Sequence, residues 1–165
     1  MASSWRWGRV AALTLALALG ARAQSPAPAS GPAALFARAL TELAHGQLDA
    51  AARDFRRVLT LDPRQMGAYA NLGVIAMRRQ HWAEARHWLR QAARLAPGVA
   101  GLQRNLGLTY YQTGRYAAAI PYFAAALRDE PGETQSRYLL GLCQFFTARY
   151  PAAARTLAPL WPQES

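Results

Sequence analysis

The chain has 165 residues, 52% of them hydrophobic and 17% charged, a composition that can bury a core and that excludes a disordered polyelectrolyte. Its net charge of +10 is carried by nineteen arginines, with no lysine, against nine acids. Its one cysteine, Cys143, excludes an intrachain disulfide and metal chemistry through paired cysteines.

In chain order, residues 1–23 read as an address rather than structure. Arg6 and Arg9 precede an apolar run of eleven residues, Val10 to Gly20, and then Ala21-Arg22-Ala23. That is the basic, apolar and small-residue layout of a secretory signal peptide, with cleavage expected after Ala23. As a helix the apolar run would span only about 16 Å, half of a hydrocarbon core of roughly 30 Å. Cleavage would remove Arg6, Arg9 and Arg22 and lower the net charge to +7. The expected destination is the periplasm or the exterior of a bacterium; an uncleaved segment would act as an anchor. Residues 24–31 are rich in Pro, Ala and Ser and read as a flexible tether, with Ser30 and Pro32 marking a helix start.

From Pro32 onward the sequence repeats every 34 residues. Ala51, Ala85, Ala119 and Ala153 are in register, as are Pro63, Pro97 and Pro131. Leu72, Leu106 and Leu140 are each followed by a glycine, Gly73, Gly107 and Gly141, whose place Ala39 takes one repeat earlier. Leu48, Trp82, Tyr116 and Tyr150 form another series, and Phe55, Leu89, Phe123 and Leu157 another. A period of this length marks a stacked solenoid in which no copy can bury its apolar face alone. Helical spacing within each copy predicts a hairpin. First helices are expected at about 33–45, 67–79, 101–113 and 135–147, and second helices at about 49–60, 83–95, 117–129 and 151–160. The small residue lets the second helix approach, Gly46 and Gly114 supply the turn, and the proline stops the second helix. Pro121 and Pro151 are expected in the first turn or so of second helices, where a lost N–H is cheap.

These residues resemble the tetratricopeptide repeat family, whose pattern is W-x2-L-G-x2-Y, A-x3-F and P. The copy from Ala100 fits best, with Leu106, Gly107, Tyr110, Ala119, Phe123 and Pro131, and Gln103 in place of the leading Trp. The copy from Met66 has Tyr69, Leu72, Gly73, Ala85, Leu89 and Pro97, with Ala76 in place of the second aromatic. The copy from Pro32 departs more, with Arg38-Ala39 where Leu-Gly is expected, and terminal repeats are often atypical. The resemblance implies an all-α, right-handed α-solenoid of four hairpins over 32–165, with repeats at about 32–65, 66–99, 100–133 and 134–165. It also implies a concave groove, lined by first helices, that holds a peptide or a partner helix.

No catalytic constellation stands out. The histidines His45, His81 and His87 have no metal-ligand spacing, and no phosphate-binding or nucleophile motif is present. The expectation is a non-catalytic, exported scaffold needing no metal or cofactor. The groove series by register are Asn71 and Asn105, then Val74 and Leu108, then Met77, Tyr111 and Phe145, with Arg78, Arg104 and Tyr138 at similar height. The apolar stripe would grip side chains, and the Asn amides would bond an extended backbone. The same identities would also serve stacking alone.

A second surface is basic. Arg53, Arg56 and Arg57, and then Arg86, Arg90 and Arg94, fall on one face of two second helices, which the resemblance makes convex. Its alternative readings are a solvated face that keeps an Ala-rich chain soluble and a contact with an acidic protein or an anionic membrane surface. The latter would make the chain a membrane-surface or envelope-assembly factor; nucleic acid is a poor match for an exported chain. The last repeat ends in Leu157, Leu160 and Trp161 without a polar capping helix, so that either the chain is truncated there or these residues meet a partner or another copy.

Overall fold

The computed structural model describes residues 31–161. The leader and all but the last residue of the tether lie outside the described residues, as do residues 162–165. Eight helices follow in order: α1 (Pro32–Ala44), α2 (Leu48–Leu61), α3 (Met66–Arg78), α4 (Trp82–Leu95), α5 (Ala100–Tyr111), α6 (Tyr116–Asp129), α7 (Thr134–Phe146) and α8 (Tyr150–Leu157). A short 3-10 turn, Ala158–Leu160, ends the described chain. Among the described residues there is no strand, and no helix is long and apolar enough to cross a membrane. Each helix packs on the next, α1 on α2 through to α7 on α8, so the protein is an all-α helical solenoid of four hairpins.

The period sets the seams. Ala51, Ala85 and Ala119 have no exposed surface, and neither do Phe55, Leu89 and Phe123. Each large residue of a second helix sits on the small residue sixteen positions earlier. A Cβ built on Gly73 would lie 2.6 Å from Leu89 Cγ, one on Gly107 would lie 2.7 Å from Phe123 Cε1, and one on Gly141 would run into Leu157 Cγ. Those positions are glycine because the second helix already occupies the space a methyl group would need. The first hairpin takes another solution, with Ala39 fully buried and Phe55 packed edge-on against Phe36 at 5.4 Å between ring centroids.

Arg38 stands where Leu72, Leu106 and Leu140 stand in the other copies. Leu72 clusters with α1 and α2, and Leu106 clusters with Leu89 of the preceding hairpin. No helix precedes α1 among the described residues. Arg38 instead reaches Asp54 of α2 with both arms of its fork, Nε to Oδ2 at 2.5 Å and Nη2 to Oδ1 at 2.8 Å. That bidentate bond holds the Asp54 carboxyl below the ordinary carboxylate value against the opposing effect of its burial.

The turns inside the hairpins are alike. Gln47, His81, Arg115 and Arg149 each donate a backbone N–H to the carbonyl five residues back, at 2.8–2.9 Å, and the residue before each donates to the carbonyl three back. This is the Schellman ending of a helix, which needs a left-handed residue. That residue is Gly46, Gln80, Gly114 and Ala148 in turn, with φ of +75°, +61°, +69° and +59°. The two glycines were expected there; Gln80 and Ala148 adopt the same torsion without being glycine.

The prolines correct one expectation. Pro63, Pro97 and Pro131 fall just beyond the ends of α2, α4 and α6, and Pro151 is the second residue of α8. Pro121, however, is the sixth residue of α6, past the first turn, because α6 begins at Tyr116. It removes the N–H that would have bonded the Ala117 carbonyl. Both residues are exposed, so water can take that carbonyl. The final helix is shorter than the expected 151–160, giving way to a 3-10 turn around Pro159, which has no N–H to continue the ladder.

Candidate partner-binding groove

The first helices of the two middle hairpins, α3 and α5, touch each other directly. Between them lies a depression of about 280 Å³ lined by Val74, Met77, Arg78, Trp82, Asn105, Leu108 and Gln112. Five of these, Val74, Met77, Arg78, Asn105 and Leu108, are groove positions expected from register alone. Trp82 and Gln112 are additions. Gln112 stands 34 residues after Arg78, so the period already contained it. Trp82 opens α4, and its series suggests packing on the preceding helix, which conceals that it also borders the depression.

The two asparagines differ. Asn71 Nδ2 donates to the Gly67 carbonyl one turn back at 2.8 Å, so its amide is engaged within its own helix. Asn105 instead lines the depression. Arg78 donates to the Leu43 carbonyl at the end of α1 at 3.1 Å, which pins the guanidinium across the first two hairpins. Arg104 Nη1 lies 3.8 Å from Glu133 Oε1. Glu133 also caps α7, accepting from the N–H groups of Gln135 and Ser136 at 3.1 and 2.7 Å, and these bonds with Arg104 hold its carboxyl low although burial opposes them.

Toward α7 the same register becomes aromatic. Tyr111 meets Tyr116 edge-on at 5.5 Å, Tyr116 stacks on Phe146 at 4.6 Å, Phe146 meets Phe145 at 5.8 Å, and Phe145 meets Tyr150 at 5.5 Å. Burial raises the Tyr111 hydroxyl above the ordinary tyrosine value, so it stays protonated as a donor. Phe145, Phe146 and Tyr150 are each more than half exposed, as is Trp161, and Tyr138 is nearly so. Tyr111, Tyr138 and Phe145 were expected on this face. Tyr116, Phe146 and Tyr150 join them because helix ends and helix starts meet at each turn. Leu157 is turned inward over Gly141 and Leu160 is half-buried, so at the terminal edge Trp161 is the large side chain left outward.

The basic residues divide into two groups. Arg56 pairs with Glu84 at 3.4 Å, while Arg53 and Arg57 are exposed on α2. Arg86, Arg90 and Arg94 line a separate depression of about 520 Å³ with Tyr110 and Arg115. Among the described residues no group of three or more His, Cys, Asp or Glu side chains could hold a metal ion.

The comparisons agree with this architecture. Two family models, both described as tetratricopeptide repeat, match residues 36–100 and 72–144, which together span more than half of the chain. The fold is similar to YrrB, described as a TPR protein with an unusual peptide-binding site, at a TM-score of 0.74 and 20% identity over 79% of this chain and 68% of that one. It is similar to MamA from Desulfovibrio magneticus RS-1 at 0.73 and 21%, over 79% and 74%. It is also similar to Pseudomonas aeruginosa pilF at 0.71 and 22%, over 83% and 64%. At these identities the likeness is one of fold. No curated protein sequence matches the chain.

Proposed function

This chain belongs to the tetratricopeptide repeat family, and from that premise we propose that it is an exported scaffold whose first helices hold a peptide or partner helix. Family membership supports a protein–protein interaction module. The observation that carries the finer reading is the depression between α3 and α5, in which Val74, Met77, Trp82 and Leu108 form apolar walls and Asn105, Gln112 and Arg78 supply polar groups. Apolar walls with a few convergent polar groups are what a peptide side chain and its backbone require. The solved structure of YrrB, described by its peptide-binding site, is consistent with this mode. The exposed aromatic run from Tyr111 to Tyr150 extends the apolar track along the same register.

Panning a random peptide library on the purified 24–165 chain tests the groove. Enriched peptides should lose at least tenfold in affinity to the Asn105→Ala/Phe145→Ala double variant, whose circular dichroism should be unchanged. Equal affinity for both proteins would overturn the groove reading. Export rests on the leader pattern in residues 1–23, and N-terminal sequencing of the protein recovered from cell envelopes should begin at Gln24.

A further inference from the structure

The depression bordered by α4, the end of α5 and the turn after it is chemically unlike the groove. Four arginines border it, Arg86, Arg90 and Arg94 from α4 and Arg115 from the turn before α6, and its lining contains no acid. Three of them, Arg86, Arg90 and Arg115, are arranged around one ring. The guanidinium carbons of Arg86 and Arg115 each lie 5.2 Å from the Tyr110 ring centroid, and Arg90 donates to the Tyr110 hydroxyl. Tyr110 is buried and stacks on Tyr122 at 5.3 Å, so the ring is a fixed platform. Arg38, Arg56, Arg79 and Arg104 each have a carboxylate within 4.0 Å. The four that border this depression have none among the described residues, as is true of others such as Arg53 and Arg57, but here they converge on one depression.

A charged face that only keeps the protein soluble would recur with the repeat. This one does not. The positions of Arg86, Arg90 and Arg94 are Ala52, Arg56 and Thr60 in the preceding repeat and Ile120, Ala124 and Arg128 in the following one. Solubility also gives no reason for cations from two elements to converge on one aromatic face. Four like charges gathered this way repel one another, and an anion placed among them would relieve that repulsion.

The spacing says which anion. Arg86, Arg90 and Arg94 are four residues apart on one helix, so their attachment points are separated by about 6 Å. In an extended peptide, alternate side chains lie on one side at about 6.6–6.8 Å. The depression, about 520 Å³, follows this row of arginines as a slot. We propose that this slot binds an extended acidic segment of a protein partner, with carboxylates at alternate residues facing Arg86, Arg90 and Arg94 and with Arg115 closing over the chain from the side of Tyr110.

Two synthetic peptides of equal charge test this on the whole 24–165 chain. One has Glu at every second residue (Glu-Ser-Glu-Ser-Glu), and the other has Glu at every third (Glu-Ser-Ser-Glu-Ser-Ser-Glu), which turns successive carboxylates to opposite sides of an extended chain. Titration by fluorescence anisotropy in 50 mM salt should show the first binding at least tenfold more tightly. Arg90→Ala/Arg115→Ala should remove that preference. Arg94→Gln, at an exposed side chain bonded only to Gln91, should weaken the first peptide severalfold with no loss of folding. Arg53→Ala/Arg57→Ala removes the same charge from α2 and should change affinity less than twofold. Equal binding of the two peptides, or equal losses in the α2 and α4/turn variants, would overturn the site in favour of the general field of the protein. Displacement by millimolar inorganic phosphate as effective as by the peptide would overturn it in favour of a compact-anion site. Capture by phosphatidylserine vesicles that depends on Arg90 and Arg115 while the peptides do not bind would overturn it in favour of a membrane surface.

Discussion

The seams between helices and the turns between them both call for glycine, and for opposite reasons. At Gly107 the backbone torsion is ordinary and the space is full, with the Phe123 ring already within 2.7 Å of where a Cβ would go. At Gly114 the space is open, with nothing within 4 Å, and it is the torsion, φ of +69°, that is special. Three hairpins keep glycine at the seam, while two of the four turns do without it, using Gln80 and Ala148. A volume conflict at a seam displaces two helices and everything stacked on them. A torsional conflict at a turn stays local and costs a fixed, modest amount.

Substitutions can break this contrast or sharpen it. Gly107→Ala should have the largest effect, a loss of about 1–3 kcal/mol of unfolding free energy by urea titration, typical of overpacking. Gly98→Ala, where nothing lies within 4 Å, is the control and should be close to neutral. Gly114→Ala should cost about 1 kcal/mol, the price of a left-handed L-residue. If Gly114→Ala proved the more damaging of the two, the seam would not be what limits the fold. Ala148→Gly should go the other way, gaining about 0.5–1 kcal/mol, because relieved strain outweighs the added freedom of the unfolded chain.

The smallest effect belongs to the Arg38–Asp54 pair, which replaces a seam rather than filling one. Its folded carboxyl titrates below the ordinary value of 3.8. Its contribution is therefore complete above that value and is lost as the pH falls through it toward the lower folded value. The thermal midpoint of the wild type should converge on that of Asp54→Asn as the pH drops from 5 to 2. A constant difference between the two across that range would show that the pair does not contribute through its charge.

Much of this was legible in the residues. The 34-residue period placed α1 through α7 within one or two residues at nearly every boundary, and the Gly/Ala series marked the seams, because close packing leaves a small residue as its trace. The turn torsion was half legible. Gly46 and Gly114 announced it, whereas Gln80 and Ala148 carry no local sign, and only the period assigns them. Pro121 lies at the sixth residue of α6, past its first turn, although the expected start at 117 is only one residue from the observed one. In the depression between α3 and α5, register anticipated Val74, Met77, Arg78, Asn105 and Leu108 and missed Gln112 and Trp82, the latter reaching the same space from α4. The basic slot shows the same limit. Spacing on α4 put Arg86, Arg90 and Arg94 on one face, but Tyr110 and Arg115 come from α5 and the turn after it, which only tertiary packing brings alongside.

Cys143 sits in the cluster joining α5, α6 and α7, with no exposed surface and a thiol pushed up to about 11 by burial. While the helices stay stacked, the sulfur is neither a nucleophile nor within reach of an oxidant. It can react only when α7 lifts from α6. The rate at which an alkylating reagent consumes this thiol is therefore a clock for one event, the detachment of the last hairpin from the other three, and the chain carries that reporter without any label being added.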